Sequence, residues 1–136
     1  NGLAPLHDYQ VRSFGADAKA ASFLISTIAS GSKTGTFTTP WLYEREPNSR
    51  PVLGGYAVVT DFDGTPKLVL RTMSLELLTF ETVTEAQTRL ESPSARSVQQ
   101  WRDIHWGYFT RVLSPYGVKP QMNMPVVAER FDVVCT

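Results

Sequence analysis

Lys33 and Thr36 stand in the stretch Gly31-Ser32-Lys33-Thr34-Gly35-Thr36, where one lysine lies among small and hydroxylated residues. A threonine hydroxyl is a poor nucleophile until a nearby base takes its proton, and a lysine of depressed pKa can be that base. In an extended segment the two side chains point to opposite faces, and a tight turn at Gly35 would bring them together. A phosphate cradle is a second possibility. It needs a GxxxxGK[ST] loop between a strand and a following helix, so that backbone N–H groups and the helix N-terminus face the phosphates. Here the lysine precedes the second glycine and a helical pattern comes before the stretch, which argues against a nucleotide-binding loop. The third possibility is a solvated polar loop, and composition alone favours it.

The other candidates divide in the same way. Glu91, ahead of Ser92-Pro93-Ser94, is an acid–base partner or a surface carboxylate. His105 lies among aromatics and is a site residue or, more simply, a hydrogen-bonded core histidine. Trp41 and Tyr43 sit in a loop, where aromatics either stack a base or cover the mouth of a barrel. Arg71, beside Thr72, suits a phosphate or a neighbouring glutamate. Cys135 reads as a buried thiol.

The elements that must position these residues are partly visible. Residues 1–16 look like an irregular lead-in. From Asp17, a suitable N-cap, Ala21, Leu24, Ile25 and Ile28 follow helical spacing, and Gly31 stands where a C-cap glycine is expected. The motif therefore leaves the C-terminal end of a helix, the end that anions avoid. Residues 37–55 hold three prolines and two glycines and read as a long loop; loops beyond about 12 to 15 residues are often functional. Tyr56–Phe62 and Lys67–Thr72 predict strands joined at Asp63-Gly64, a strong hairpin turn, with Leu75–Phe80 as a further strand. Thr84 with Gln87 and Ser97 with Gln100 predict capping boxes that open a short helix through Leu90 and a longer one. On the longer helix Val98, Trp101, His105, Tyr108 or Phe109, and Val112 share a face. Residues 126–135 close as a strand, with Val127, Phe131, Val133 and Cys135 on one side. The order predicts one α+β domain over residues 1–136, its strands curled into a small barrel.

Composition narrows the function. The 136 residues are 42% hydrophobic, enough for one real core. Thirteen basic and 13 acidic side chains leave zero formal charge, whereas proteins that grip long nucleic acid carry a positive excess. Any nucleic-acid contact should therefore be local and pocket-like. One cysteine excludes an internal disulfide and a CxxC zinc site, and His7 and His105 are too few for a protein-only zinc site. No apolar run approaches the roughly 20 residues of a membrane span, and no signal-peptide pattern opens the chain. These features predict a soluble, cytoplasmic protein. With Asn1 where an initiator methionine would stand, the chain reads as trimmed.

The same residues also resemble a known family. Gly31-Ser32-Lys33-Thr34-Gly35-Thr36 after a helix is similar to the GxKxxT motif of ASCH domains. Trp41-Leu42-Tyr43-Glu44, Gly55-Tyr56-Ala57-Val58-Val59-Thr60-Asp61 and Leu70-Arg71-Thr72 resemble the family's next blocks. Arg89-Leu90-Glu91, Trp101-Arg102-Asp103-Ile104-His105 with Tyr108-Phe109, and Pro125-Val126-Val127-Ala128-Glu129-Arg130-Phe131 continue the set in order. The resemblance covers residues 14–134 and implies a PUA-like β-barrel flanked by helices, with RNA-related work in a cleft beside the motif.

Some members of that family are amidohydrolases of N4-acetylcytidine, and others are reported as single-strand ribonucleases. By resemblance, the catalytic lysine, threonine and glutamate fall on Lys33, Thr36 and Glu91, with Thr36 as attacking group. Trp41, Tyr43, Arg71 and His105 then become expected substrate-binding residues. Neither metal nor cofactor is called for, and the partner is RNA or a modified nucleoside. The alternative is a non-catalytic RNA-binding PUA-like module. Two positions depart from the family pattern: Thr38 replaces an arginine typical of the amidohydrolases, and Ser92-Pro93-Ser94-Ala95-Arg96 replaces an acidic run.

Overall fold

The computed structural model describes residues 9–136; His7 and the other residues of 1–8 lie outside the described residues. The first strand, β1 (Gln10–Ser13), falls where irregular structure was expected. Its polarity is inverted: Val11 is exposed to solvent while Gln10 and Arg12 turn toward the protein. A short strand that faces polar residues inward carries no apolar alternation to betray it.

The helix α1 (Ala18–Ala29) begins as its cap predicts, with the Asp17 carboxylate accepting from Ala20 N–H at 2.8 Å. It ends at Gly31, whose φ of +83° suits glycine. Gly31 N–H donates to Ile28 O and Ser32 N–H to Thr27 O, the paired bonds of a Schellman C-cap. The expected long loop contains the end of β2 (Gly35–Thr38), the one-turn helix α2 (Pro40–Tyr43) and a 3₁₀ turn over Pro47–Ser49.

The strand β3 (Tyr56–Thr60) meets β4 (Pro66–Thr79) across the predicted turn, where Asp61 Oδ1 accepts from Asp63 and Thr65 N–H. The two strands expected at 67–72 and 75–80 are this one β4, whose register shifts between Thr72 and Ser74. A bulge at Met73 resets the alternation, and in the sequence that reset mimics a strand break. Both capping boxes are present, opening α3 (Glu85–Thr88) and α4 (Val98–Leu113). The closing strand is β5 (Pro125–Cys135), and its end emerges into solvent, so Cys135 is exposed and not the buried thiol expected.

The strands form one sheet in the order β1-β3-β4-β5-β2, with β1 parallel to β3 and the other pairs antiparallel. In a flat sheet β1 and β5 would lie roughly 14 Å apart, three strand spacings. Yet Arg12 on β1 touches Glu129 on β5 at 2.9 Å. The sheet is therefore strongly curled, as a PUA-like half-barrel.

Each side of the curl has its own core. Phe37, Val126 and Ala128 face α4, where Trp101, Phe109 and Leu113 are fully buried. Ala57, Val59, Leu68, Leu70 and Phe131 face the concave side, which Ile28 of α1 plugs. Each Val, Leu, Ile or Phe among them contributes about 1.5 to 3 kcal/mol on burial. Because alternate residues of β2 and β5 face opposite sides, anchoring Phe37 and Ala128 in one core turns Thr36 and Glu129 into the concavity.

Candidate functional site

The C-cap of α1 starts the construction of the site. Ser32 and Lys33 N–H both donate to Thr27 O, which reverses the chain and sends it away from the helix. Thr34 and Gly35 N–H then donate to Leu90 O at 2.8 and 3.1 Å, fastening the segment to the residue before Glu91. Arg96 closes the other side, donating from Nε to Glu91 O and from Nη2 to Ser32 O. Gly35 permits this approach: a Cβ there would lie 2.3 Å from Glu129 O and 2.9 Å from Leu90 Cβ.

The result joins residues 58 positions apart: Lys33 Nζ donates to Glu91 Oε1 at 2.7 Å, with side-chain exposures of 3% and 6%. His105 Nε2 lies 3.6 Å from the same oxygen. The His105 ring stacks on Trp101 at 4.5 Å, and its Nδ1 is 2.9 Å from Trp101 O. That carbonyl can only accept, so Nδ1 carries hydrogen and Nε2 faces the carboxylate. Burial pushes the Glu91 carboxyl upward, but the His105 imidazole and the Lys33 ammonium outweigh it and hold the group at about 2. Glu91 is thus an ionised acceptor at neutral pH.

The pair borders a cavity of about 820 Å³ that Thr36, Thr38, His105 and Tyr108 also line. The Thr38 and Tyr43 hydroxyls share a hydrogen bond. Burial raises the pKa of the Tyr43 phenol, with Thr38 opposing, and burial also raises that of Tyr108. Both phenols therefore remain protonated donors at neutral pH. Among the described residues, no three of His, Cys, Asp and Glu gather as a metal site.

Lys33, Thr36, Glu91 and His105 converge on this cavity, and Tyr43 stands behind Thr38. Trp41 and Arg71 do not reach it. Trp41 packs against the α4 core. Arg71 is exposed, its guanidinium 5.7 Å over the Tyr56 ring and its Nε donating to Gly54 O. Sequence reasoning missed a second charged pair. Arg12 lines the cavity and grips Glu129 with Nη1 and Nη2 at 2.9 and 3.1 Å, while Thr72 Oγ1 donates to Glu129 at 2.6 Å. The available signal was a glutamate on the strand side that carries Val127 and Phe131.

A curled five-stranded sheet flanked by helices is the α+β architecture of the PUA-like class. The sequence model of the ASCH domain matches residues 10–135, and the chain belongs to that family. Its structure is similar to the crystal structure of an ASCH domain from Lactobacillus crispatus JV V101. That match has 25% identity and a TM-score of 0.85, over 95% of this chain and 81% of that one. A protein from Enterococcus faecalis V583 is alike at 26% identity and a TM-score of 0.85, covering 99% of this chain and 79% of that one. No curated protein matches the sequence. Among the described residues no helix is long and apolar enough to cross a membrane.

Proposed function

We propose that the cavity hydrolyses the exocyclic amide of a modified pyrimidine nucleoside of the N4-acetylcytidine type. The observation that carries this is the buried Lys33–Glu91 pair at the wall of a cavity that Thr36 shares. Buried charge is costly, and its perturbation by specific partners in a cleft is a mark of functional sites.

The chemistry follows from the pair. Moving a proton from Lys33 Nζ to Glu91 along their 2.7 Å hydrogen bond leaves a neutral amine and a carboxylic acid. The amine takes the Thr36 hydroxyl proton as Oγ attacks the acetyl carbon. Glu91 then passes the proton it received from Lys33 to the departing N4 nitrogen, the C–N bond breaks, and the pair is back at ammonium and carboxylate. Water then cleaves the Thr36 ester. The water hydroxyl goes to the acetyl carbon and its proton to Thr36 Oγ, and the products are cytidine and acetate, with one proton released to solvent. Strand cleavage has less support at the pair itself, since Lys33 and Arg12 are each matched by a carboxylate, which leaves Arg111, among the described residues, as the cavity-lining cation outside an ion pair.

The test is turnover of N4-acetylcytidine and of single-stranded RNA by wild type, Lys33→Ala and Thr36→Ser. Loss of the lysine should lower deacetylation about 10²- to 10⁴-fold, the range for a general acid–base group, while Thr36→Ser should retain activity. If wild type leaves N4-acetylcytidine intact, the hydrolase reading fails. Binding without turnover would then favour an RNA-binding module.

A further inference from the structure

We infer that Arg12, held by Glu129, is a specificity-determining residue that donates to a neutral carbonyl oxygen of the ligand and selects against phosphate. The inference rests on the cavity being a nucleoside site. A guanidinium has five N–H donors, and those of Arg12 are nearly all committed. Nε and Nη2 both donate to Gln10 Oε1, and Nη1 and Nη2 to the two Glu129 oxygens. One N–H remains on Nη1, without a partner among the described residues.

The committed bonds fix the plane of the side chain. Gln10 is itself anchored, its Nε2 donating to Asn48 O at 2.7 Å and Arg50 O at 2.6 Å. Glu129 is 1% exposed and takes a further bond from Thr72. Arg12 thus stands in the cavity wall with its orientation preset and one donor unspent.

Its charge is also spent. A guanidinium that serves phosphate presents a free fork, so that both oxygens of the anion are met at once. Here the fork already holds a buried carboxylate, and the pair has no net charge. A phosphate approaching it meets repulsion from Glu129 together with attraction from Arg12. A ring or amide carbonyl meets one directed donor and pays no such penalty. The pair therefore suits the O2 carbonyl of a pyrimidine, while Lys33, Thr36 and Glu91 serve the amide.

The experiment is equilibrium binding of cytidine, cytidine 5′-monophosphate and inorganic phosphate, probes that a deacetylase leaves unchanged. Wild type should bind cytidine at least as tightly as the monophosphate. Glu129→Gln, which frees the Arg12 charge, should shift the ratio toward the monophosphate by about tenfold. The double variant Arg12→Gln with Glu129→Gln removes both charges together and should melt as a folded protein. It should lose cytidine affinity by about tenfold or more, the worth of one hydrogen bond from a charged donor. The inference is overturned if wild type prefers the monophosphate, if inorganic phosphate displaces cytidine, if cytidine does not bind, or if the folded double variant keeps its affinity. Cytidine binding of the expected pattern without hydrolysis of N4-acetylcytidine would sink the proposed reaction and leave the Arg12 assignment standing.

Discussion

At the scale of single residues, the Lys33–Glu91 contact sets both the chemistry and a pH signature. Glu91 sits at about 2 against an ordinary 4.5, so below about 4.5 the unfolded chain binds the proton more readily than the folded one. The sign follows: stabilisation is full above about 4.5 and is lost as pH falls through about 2. A shift of that size corresponds to about 3 kcal/mol. Glu91→Gln leaves the buried Lys33 charge unpaired, so at pH 7 it should cost roughly 3 kcal/mol. Denaturant unfolding of both proteins between pH 7 and 2.5 should show the gap shrinking to below about 1 kcal/mol at the acid end, where the unfolded carboxyl is protonated and the folded one nears its own titration. A gap independent of pH would mean that the variant fails through packing and not through charge. Neither this pair nor Arg12–Glu129 could be read from spacing, since their members lie 58 and 117 positions apart. Only the ordered blocks shared with the ASCH family bring Lys33 and Glu91 together in a sequence reading. Arg12 fell in a stretch that looked irregular.

At the scale of elements, legibility followed local chemistry. Asp17, Gly31 and the two capping boxes act within a turn of their own positions, and the structure holds each where the sequence put it. The strands depended on partners. Gln10–Ser13 is a strand because β3 pairs with it, and Gly35–Thr38 because β5 does. The two glycines of the motif show the difference and can be separated by mutation. Gly31 has φ +83° and open space around a notional Cβ, so Gly31→Ala should cost only the left-handed backbone strain, about 1 to 2 kcal/mol. On the proposed function, its turnover of N4-acetylcytidine should stay close to wild type. A Cβ at Gly35 would lie 2.3 Å from Glu129 O, a backbone atom that cannot swing aside. Gly35→Ala must therefore push β2 from β5 or from Leu90, at about 1 to 3 kcal/mol or more. Either shift moves Lys33 and Thr36 relative to Glu91, so activity should fall far more than stability alone explains. Thermal unfolding beside initial rates distinguishes the two, and equal loss of activity in both variants would contradict this account of the motif.

At the scale of the whole molecule, acidic and basic side chains balance. The formal net charge is zero. Of the cavity cations, Lys33 and Arg12 are paired with carboxylates and Arg111 lies over the Tyr108 ring, while Lys67 with Asp61 and Arg130 with Asp132 intersperse both signs outside. A protein that neutralises Z phosphates of a single strand shows log K falling with log salt at a slope of about −0.7Z. If the ligand is one nucleoside, as proposed, Z should not exceed about two. Titration of a 12-residue single-stranded RNA between low and moderate salt should therefore give a slope no steeper than about −1.5. Free cytidine, which carries no phosphate, should bind with almost no salt dependence. A slope of about −3 or steeper would require four or more phosphate contacts. The ligand would then be a strand held by its backbone, and the nucleoside assignment would fall even if Lys33 and Glu91 remained essential.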